Sequence, residues 1–260
     1  MDELASVNGT IGPADEMTIP VTDEGLLRGD GVFEVFRLYA GRPFAWDEHV
    51  ARLLRSAANV RLEFDLDAAQ AEVAALLERA GAVDGTVRLV ITRGGRRIAV
   101  LAPLADRAPT VTLGTVEYAP SRVLDAVKSL SYAANMLATR LAREAGADEA
   151  LLVTPAGRVL EGPTSAFFYV RGGALHTPPL TDRVLDSITR RHVLAVTGAT
   201  ERSLERDELA DLDEAFLAST TREVQPVVAI DGRPLAAGPV TAAAAEAFAR
   251  YVAERLGQPH

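Results

Sequence analysis

One residue type stands out for chemistry. Lys128 is the only lysine among 27 basic residues, the rest being arginine. Arginine serves most surface roles of lysine but cannot act as a neutral amine, because its pKa is too high. A GC-rich genome would favour arginine codons and accounts for the missing lysines, not for the remaining one. A lone lysine is therefore a candidate for imine chemistry with a carbonyl, although on the count alone a chance survivor explains it equally well. It stands in Asp125-Ala-Val-Lys-Ser-Leu-Ser-Tyr132, read as the entrance to a helix. Partial burial there would lower an amine pKa and make it nucleophilic.

A lysine imine needs an anion site for a cofactor phosphate, a carboxylate for a cofactor ring nitrogen and a clamp for a substrate carboxylate. Asp186-Ser-Ile-Thr-Arg-Arg191 opens a predicted helix, where free N–H groups and the dipole favour an anion. Ala218-Ser-Thr-Thr221 ends a predicted strand in small hydroxyl residues, the makings of a phosphate nest, although such residues are also ordinary turn formers. Glu161 follows Val159-Leu160 at a strand end before Gly162-Pro163. It is a candidate partner for a protonated ring nitrogen, or a solvated turn carboxylate. No P-loop or G-x-G-x-x-G pattern occurs.

The elements that must position these residues read as follows. Asn8-Gly9 and Ala40-Gly41 mark hairpins, the second between Val32–Tyr39 and Pro43–Trp46. Asp47 caps a helix with Val50, Leu53, Leu54 and Ala57 on its apolar face. A second helix runs from Asp67 to Ala80 and stops at Gly81. Strands follow at Thr86–Thr92, Ala99–Leu104 and Thr110–Val116, then a linker at Glu117–Ser121. Beyond it come a helix at Tyr132–Ala145, strands from Glu149 to His176, a helix at Ile188–Val196, strands at Glu214–Ala218 and Val224–Ile230, and a closing helix at Thr241–Leu256. Antiparallel hairpins mixed with helices predict an α+β fold. The expected domains are 1–116 and 122–260, joined by 117–121.

Composition narrows the class. A chain of 260 residues, 48% hydrophobic and 24% charged, has the profile of a globular enzyme. There is no cysteine, and the histidines (His49, His176, His192, His260) are scattered, so no metal site is expected. The net charge of −9 argues against nucleic acid as a partner. No apolar run is long enough for a membrane span, and MDELASVNGT lacks the features of a signal peptide, so a cytoplasmic protein is expected.

Six ordered blocks resemble the class IV aminotransferases, the fold-type IV pyridoxal-phosphate (PLP) enzymes. They are Gly29-Asp-Gly-Val-Phe-Glu34, His49-Val-Ala-Arg-Leu53, Lys128-Ser-Leu130, Glu149-Ala-Leu-Leu with Leu160-Glu-Gly162, Thr177-Pro-Pro-Leu180 with Ile188-Thr-Arg190, and Ser219-Thr220 with Glu223 and Pro226 behind. The resemblance covers nearly the whole chain. It implies a small N-terminal α/β domain and a larger C-terminal domain with a β-barrel-like core. The active site would lie at the domain interface, completed by a homodimer.

The resemblance also implies roles. Lys128 is the Schiff-base residue and moves the proton of the substrate. Glu161 keeps the pyridine nitrogen protonated. Arg52, Ile188, Thr189, Ser219 and Thr220 hold the phosphate. Phe33 is placed in the substrate pocket.

Where branched-chain enzymes carry a tyrosine before the Gly-Asp-Gly block, this chain has Arg28. Presented by the neighbouring subunit, Arg28 could pair with a substrate carboxylate. Arg88 is a second candidate clamp. The Arg-x-His pair of Bacillus-type D-amino-acid aminotransferases is absent after Ile91-Thr-Arg-Gly94. Aminodeoxychorismate lyases, giving 4-aminobenzoate and pyruvate, tend to carry a threonine where Val35 stands. These features favour transamination from a D-amino acid to 2-oxoglutarate or pyruvate. The lyase, and a branched-chain L-amino-acid or (R)-amine transaminase, are the alternatives.

Overall fold

A computed structural model describes residues 3–257, so His260 lies outside the described residues. They form two compact units, 3–106 with the insert 127–132, and 107–126 with 133–257. The insert carries Lys128, so the lysine folds with the first unit.

The first unit comprises β1 (Leu4–Val7), β2 (Thr10–Pro13), α1 (Glu24–Arg28), β3 (Gly31–Tyr39), β4 (Arg42–Pro43), α2 (Trp46–Asn59), α3 (Leu66–Ala80), β5 (Gly85–Thr92) and β6 (Arg97–Ala102). Its sheet has the order β2-β1-β6-β5-β3-β4, antiparallel throughout. Both hairpin turns form at the expected places. Alternation along the strands splits the sheet into two faces. Val32, Phe36, Leu38, Val87, Leu89 and Ile91 join Leu53, Ala57, Val73 and Leu76 of α2 and α3 in one buried core. The other face carries Phe33, Val35, Arg88 and Val90, which stand opposite one another in the β3–β5 register.

Two features of α2 differ from expectation. It starts at Trp46 after Ala45, whose left-handed φ of 55° turns the chain, and no side chain caps it. Asp47 lies inside the first turn, where its charge still suits the dipole. The buried face is His49, Arg52, Leu53, Ser56 and Ala57, while Leu54 is 41% exposed. Leu53 and Ala57 of the expected face are buried, and polar His49, Arg52 and Ser56 lie beside them where Val50 and Leu54 were expected. The cause is Glu34, a lone carboxylate on the core face of β3, which must be paired to be buried.

The second unit comprises β7 (Val111–Glu117), α4 (Ala133–Glu144), β8 (Glu149–Val153), β9 (Arg158–Val159), β10 (Ala166–Arg171), β11 (Ala174–Thr177), α5 (Ile188–Thr197), β12 (Thr200–Glu201), β13 (Leu204–Glu205), β14 (Glu214–Ser219), β15 (Glu223–Ile230), β16 (Arg233–Pro234) and α6 (Pro239–Gly257). Its sheet runs β12-β11-β10-β14-β15-β7-β8-β9-β13, with β16 on β15. β7 pairs in parallel with β8 and β15, so the strand before the expected linker belongs to this sheet. The path has two ends, β12 and β13, and is not a closed barrel. Phe167, Tyr169, Ala215, Leu217 and Val227 form its core with Leu151 and Val153. No helix among the described residues is long and apolar enough to cross a membrane, and no group of three or more potential metal ligands occurs among them.

Candidate active site

In the first unit the Gly-Asp-Gly block explains itself structurally. Gly29 ends α1 in the left-handed region at φ 66°, which glycine adopts without strain. At Gly31 an added Cβ would lie 2.4 Å from the Ile91 carbonyl oxygen and 2.6 Å from Leu130 Cδ1. Only a bare backbone lets the 127–132 insert come this close to β3. The insert lies at the entrance to α4, as its sequence suggested, and pairs with β3. The Phe33 N–H donates to the Lys128 carbonyl at 3.0 Å, and the Leu130 N–H to the Gly31 carbonyl at 2.9 Å.

This pairing brings Lys128 to Phe33. Its Nζ lies 4.6 Å from the centre of the Phe33 ring and 5.9 Å from that of Tyr132. The two rings meet edge to face at 5.3 Å. Arg88 places its guanidinium 4.9 Å from the same Phe33 ring. Lys128, Phe33 and Arg88 are thus brought together. Tyr132 joins them and was not singled out from sequence, although its spacing of four residues from Lys128 was a usable signal. Arg28 is elsewhere, on the exposed end of α1 and paired at 2.6 Å with Glu24.

Arg52 is buried in the α2 face. Its Nε and Nη2 donate to the two carboxylate oxygens of Glu34, each at 2.7 Å. His49 Nδ1 lies 2.7 Å from the same carboxylate. Burial alone would raise the Glu34 pKa, but the hydrogen bonds of Arg52 and His49, with the Arg52 charge, hold it down at about 2. Burial lowers the His49 pKa despite Glu34, with Arg52 and Lys128 adding to the effect. His49 is therefore neutral at neutral pH and Glu34 anionic. The signal that could have revealed this cluster was Glu34 itself, alone among Val32, Phe36 and Leu38 on an otherwise apolar face.

The second unit holds the remaining candidates. Ser187 caps α5 by accepting the Arg190 N–H at 3.3 Å. Ile188 and Thr189 follow, 2% and 4% exposed, so the first amides of the helix, which precede any intrahelical acceptor, sit in a buried end. Glu161 leaves β9 beside β8, and one of its oxygens accepts the Leu185 N–H at 2.9 Å, in the segment leading into α5. Ser219 and Thr220 stand at the end of β14, against which α5 packs. Their turn is braced by the Arg222 N–H, which donates to Ser219 Oγ at 3.3 Å. The Arg222 guanidinium pairs at 2.7 Å with buried Glu149, and Arg107 donates to Thr221 at 2.9 Å.

Taken by itself, the second unit offers groups that suit a phosphorylated pyridine, neutral amides and hydroxyls for a phosphate and a carboxylate for a ring N–H, and the first unit offers an amine suited to an aldehyde. Comparison with known proteins agrees. The family model for class IV aminotransferases matches residues 31–230.

The chain belongs to the class IV aminotransferases.

Among curated relatives, a D-alanine aminotransferase of Bacillus licheniformis is 34% identical, covering 89% of each chain. A putative branched-chain-amino-acid aminotransferase of Methanocaldococcus jannaschii is 35% identical, covering 87% of this chain and 88% of its own. Among solved structures, a branched-chain aminotransferase of Thermoproteus uzoniensis with norvaline superposes with a TM-score of 0.89 at 30% identity, over 99% of this chain and 97% of that one. A PLP-bound hypothetical aminotransferase of Mycobacterium tuberculosis gives 0.87 at 26% identity, over 97% and 99%. Class IV aminotransferases are PLP enzymes, and PLP is the cofactor here.

Proposed function

We propose that this aminotransferase moves an amino group from a D-amino acid to a 2-oxoacid, 2-oxoglutarate or pyruvate, with Lys128 as the residue that binds the cofactor. The observation that carries this reading is the sharing of the Phe33 ring by the Lys128 amine and the Arg88 guanidinium. A cation for a substrate carboxylate and an amine for its Cα proton thus stand beside one aromatic ring. The relatives named D-alanine aminotransferase support the D-series donor.

PLP, when bound, supplies the aldehyde that receives the amino group and a ring that spreads the electrons left when the Cα–H bond breaks. The protein supplies the rest. Lys128, as a neutral amine, takes the Cα proton and returns it. Glu161 keeps a proton on the ring nitrogen. The α5 amides at Ile188 and Thr189, the hydroxyls of Ser219 and Thr220, and Arg52 anchored by Glu34 take the phosphate. Arg88 and Phe33 orient the substrate. The reading includes a homodimer in which Arg28, exposed on its chain, serves the substrate carboxylate of the second copy. Val35 stands opposite Arg88 in the register and has no hydroxyl to assist pyruvate release, which favours transamination over the lyase reaction.

Mixing the purified yellow enzyme with D-alanine or D-glutamate is expected to bleach its visible band, and Lys128→Ala to remove that lysine-dependent band altogether. Bleaching with L-leucine but with neither D-amino acid overturns the D-specific reading. A Lys128→Ala protein that keeps the wild-type band overturns the assignment of the lysine.

A further inference from the structure

A helix that covers a sheet ordinarily buries apolar side chains. α2 buries His49, Arg52 and Ser56 at positions three and seven residues apart, all on one stripe. Two of them are explained by Glu34. Ser56, fully buried, is not. Its Oγ accepts the backbone N–H of Lys128 at 3.1 Å.

The Lys128 main chain is therefore held at both of its polar groups. Its carbonyl takes the Phe33 N–H, and its N–H is satisfied by a helix side chain where a strand edge would ordinarily provide a carbonyl. Ser129 makes a single bridge to β3, opposite Val32, and Ser131 donates to the Gly29 carbonyl at 3.1 Å, so strand pairing holds the insert only over a short span. The bidentate Glu34–Arg52 contact lies one turn earlier on α2 and fixes the rotation of the helix, which aims the Ser56 hydroxyl. A lysine side chain is a four-carbon lever, so a small rotation at its Cα becomes a large displacement of its amine.

We propose that Ser56 is a positioning residue for Lys128: its hydroxyl sets the lysine main chain and, through it, the place from which the amine moves the substrate proton. The inference rests on the reading of Lys128 as the cofactor-binding lysine. Ser56 touches neither substrate nor cofactor in this role.

The test is the Ser56→Ala holoenzyme, with Ser56→Cys as a close isostere that keeps a weaker acceptor. In Ser56→Ala, kcat should fall about tenfold, one hydrogen bond's effect on the proton-transfer step. The KM for the 2-oxoacid should stay within about twofold, because only the transition state is affected. The α-deuterium isotope effect on the amino-donor half-reaction should rise. Ser56→Cys should fall between wild type and alanine, and it carries the test if the alanine variant does not fold. Wild-type kcat and isotope effect, even with a lowered melting temperature, would overturn the proposal, as would a fall in kcat with no change in isotope effect. Failure of the Lys128 assignment is read separately, from the visible band of Lys128→Ala.

Discussion

Glu34 in the first unit and Glu208 in the second are both held at a pKa of about 2, by opposite means. Glu34 is 1% exposed. Burial works against its charge, and three short contacts to Arg52 and His49 overcome it. Glu208 sits at the surface in the capping box of the short 3-10 helix Arg206–Asp211. The Glu205 N–H contributes most to its low pKa, followed by the Arg202 guanidinium, with Arg171 also paired to it. One carboxylate is low because it is walled in with its partners, the other because a backbone donor and two half-exposed arginines surround it in water. The same titration thus marks a costly interior device in one unit and an ordinary helix start in the other. The Glu34 device also adjoins the lysine segment, because Phe33, next to Glu34 on β3, donates its N–H to the Lys128 carbonyl.

Three experiments separate these cases. The largest effect is expected from Arg52→Ala, which leaves Glu34 buried and uncompensated. It should cost about 3–5 kcal/mol in denaturant melts, whereas the double variant Glu34→Leu with Arg52→Met should recover most of that stability while cofactor affinity stays reduced. Recovery of both would show that the pair serves packing alone.

Next is the acid limb of the stability curve. Unfolded, Glu34 takes its proton near its ordinary value of 4.5, and folded only at about 2. Between those values the unfolded chain binds the extra proton, so stability rises with pH. The contribution, about 3 kcal/mol, is present above pH 4.5 and lost as pH falls towards 2. Urea melts across that range should be flatter for Glu34→Gln.

The smallest effect is expected from Glu208→Gln: below about 1 kcal/mol, and shrinking in 1 M salt, where screening weakens the exposed Arg171 and Arg202 contacts. Salt should leave the Glu34 comparison nearly unchanged. A salt-sensitive Glu34 would erase the distinction between the two regions.

Much of this was legible in the chain. The hairpin turns at Asn8-Gly9 and Ala40-Gly41, the Ser187 cap and the hydroxyl turn at Ser219-Thr220 are local signals, because each depends on residues a few positions apart. The lone lysine carried its own chemical argument, and the ordered blocks around it carried the family. Other features depended on partners distant in sequence. Leu53 and Ala57 of the expected α2 face are buried, but Val50 and Leu54 looked as fit to flank them as the polar His49, Arg52 and Ser56, which Glu34, on the strand opposite, selects. The insert does lead into a helix, as read, but its pairing with β3, which required Gly31 to leave room, depended on a strand nearly a hundred positions away. The amino-acid sequence by itself determined the groups available to this protein: one lysine amine, a carboxylate before Gly162, a serine-capped helix start and a turn of small hydroxyl residues. Only the tertiary structure decided how the amine is held, because a buried hydroxyl and a backbone N–H that are 72 positions apart become partners when helix and sheet pack and must satisfy their polar groups away from water.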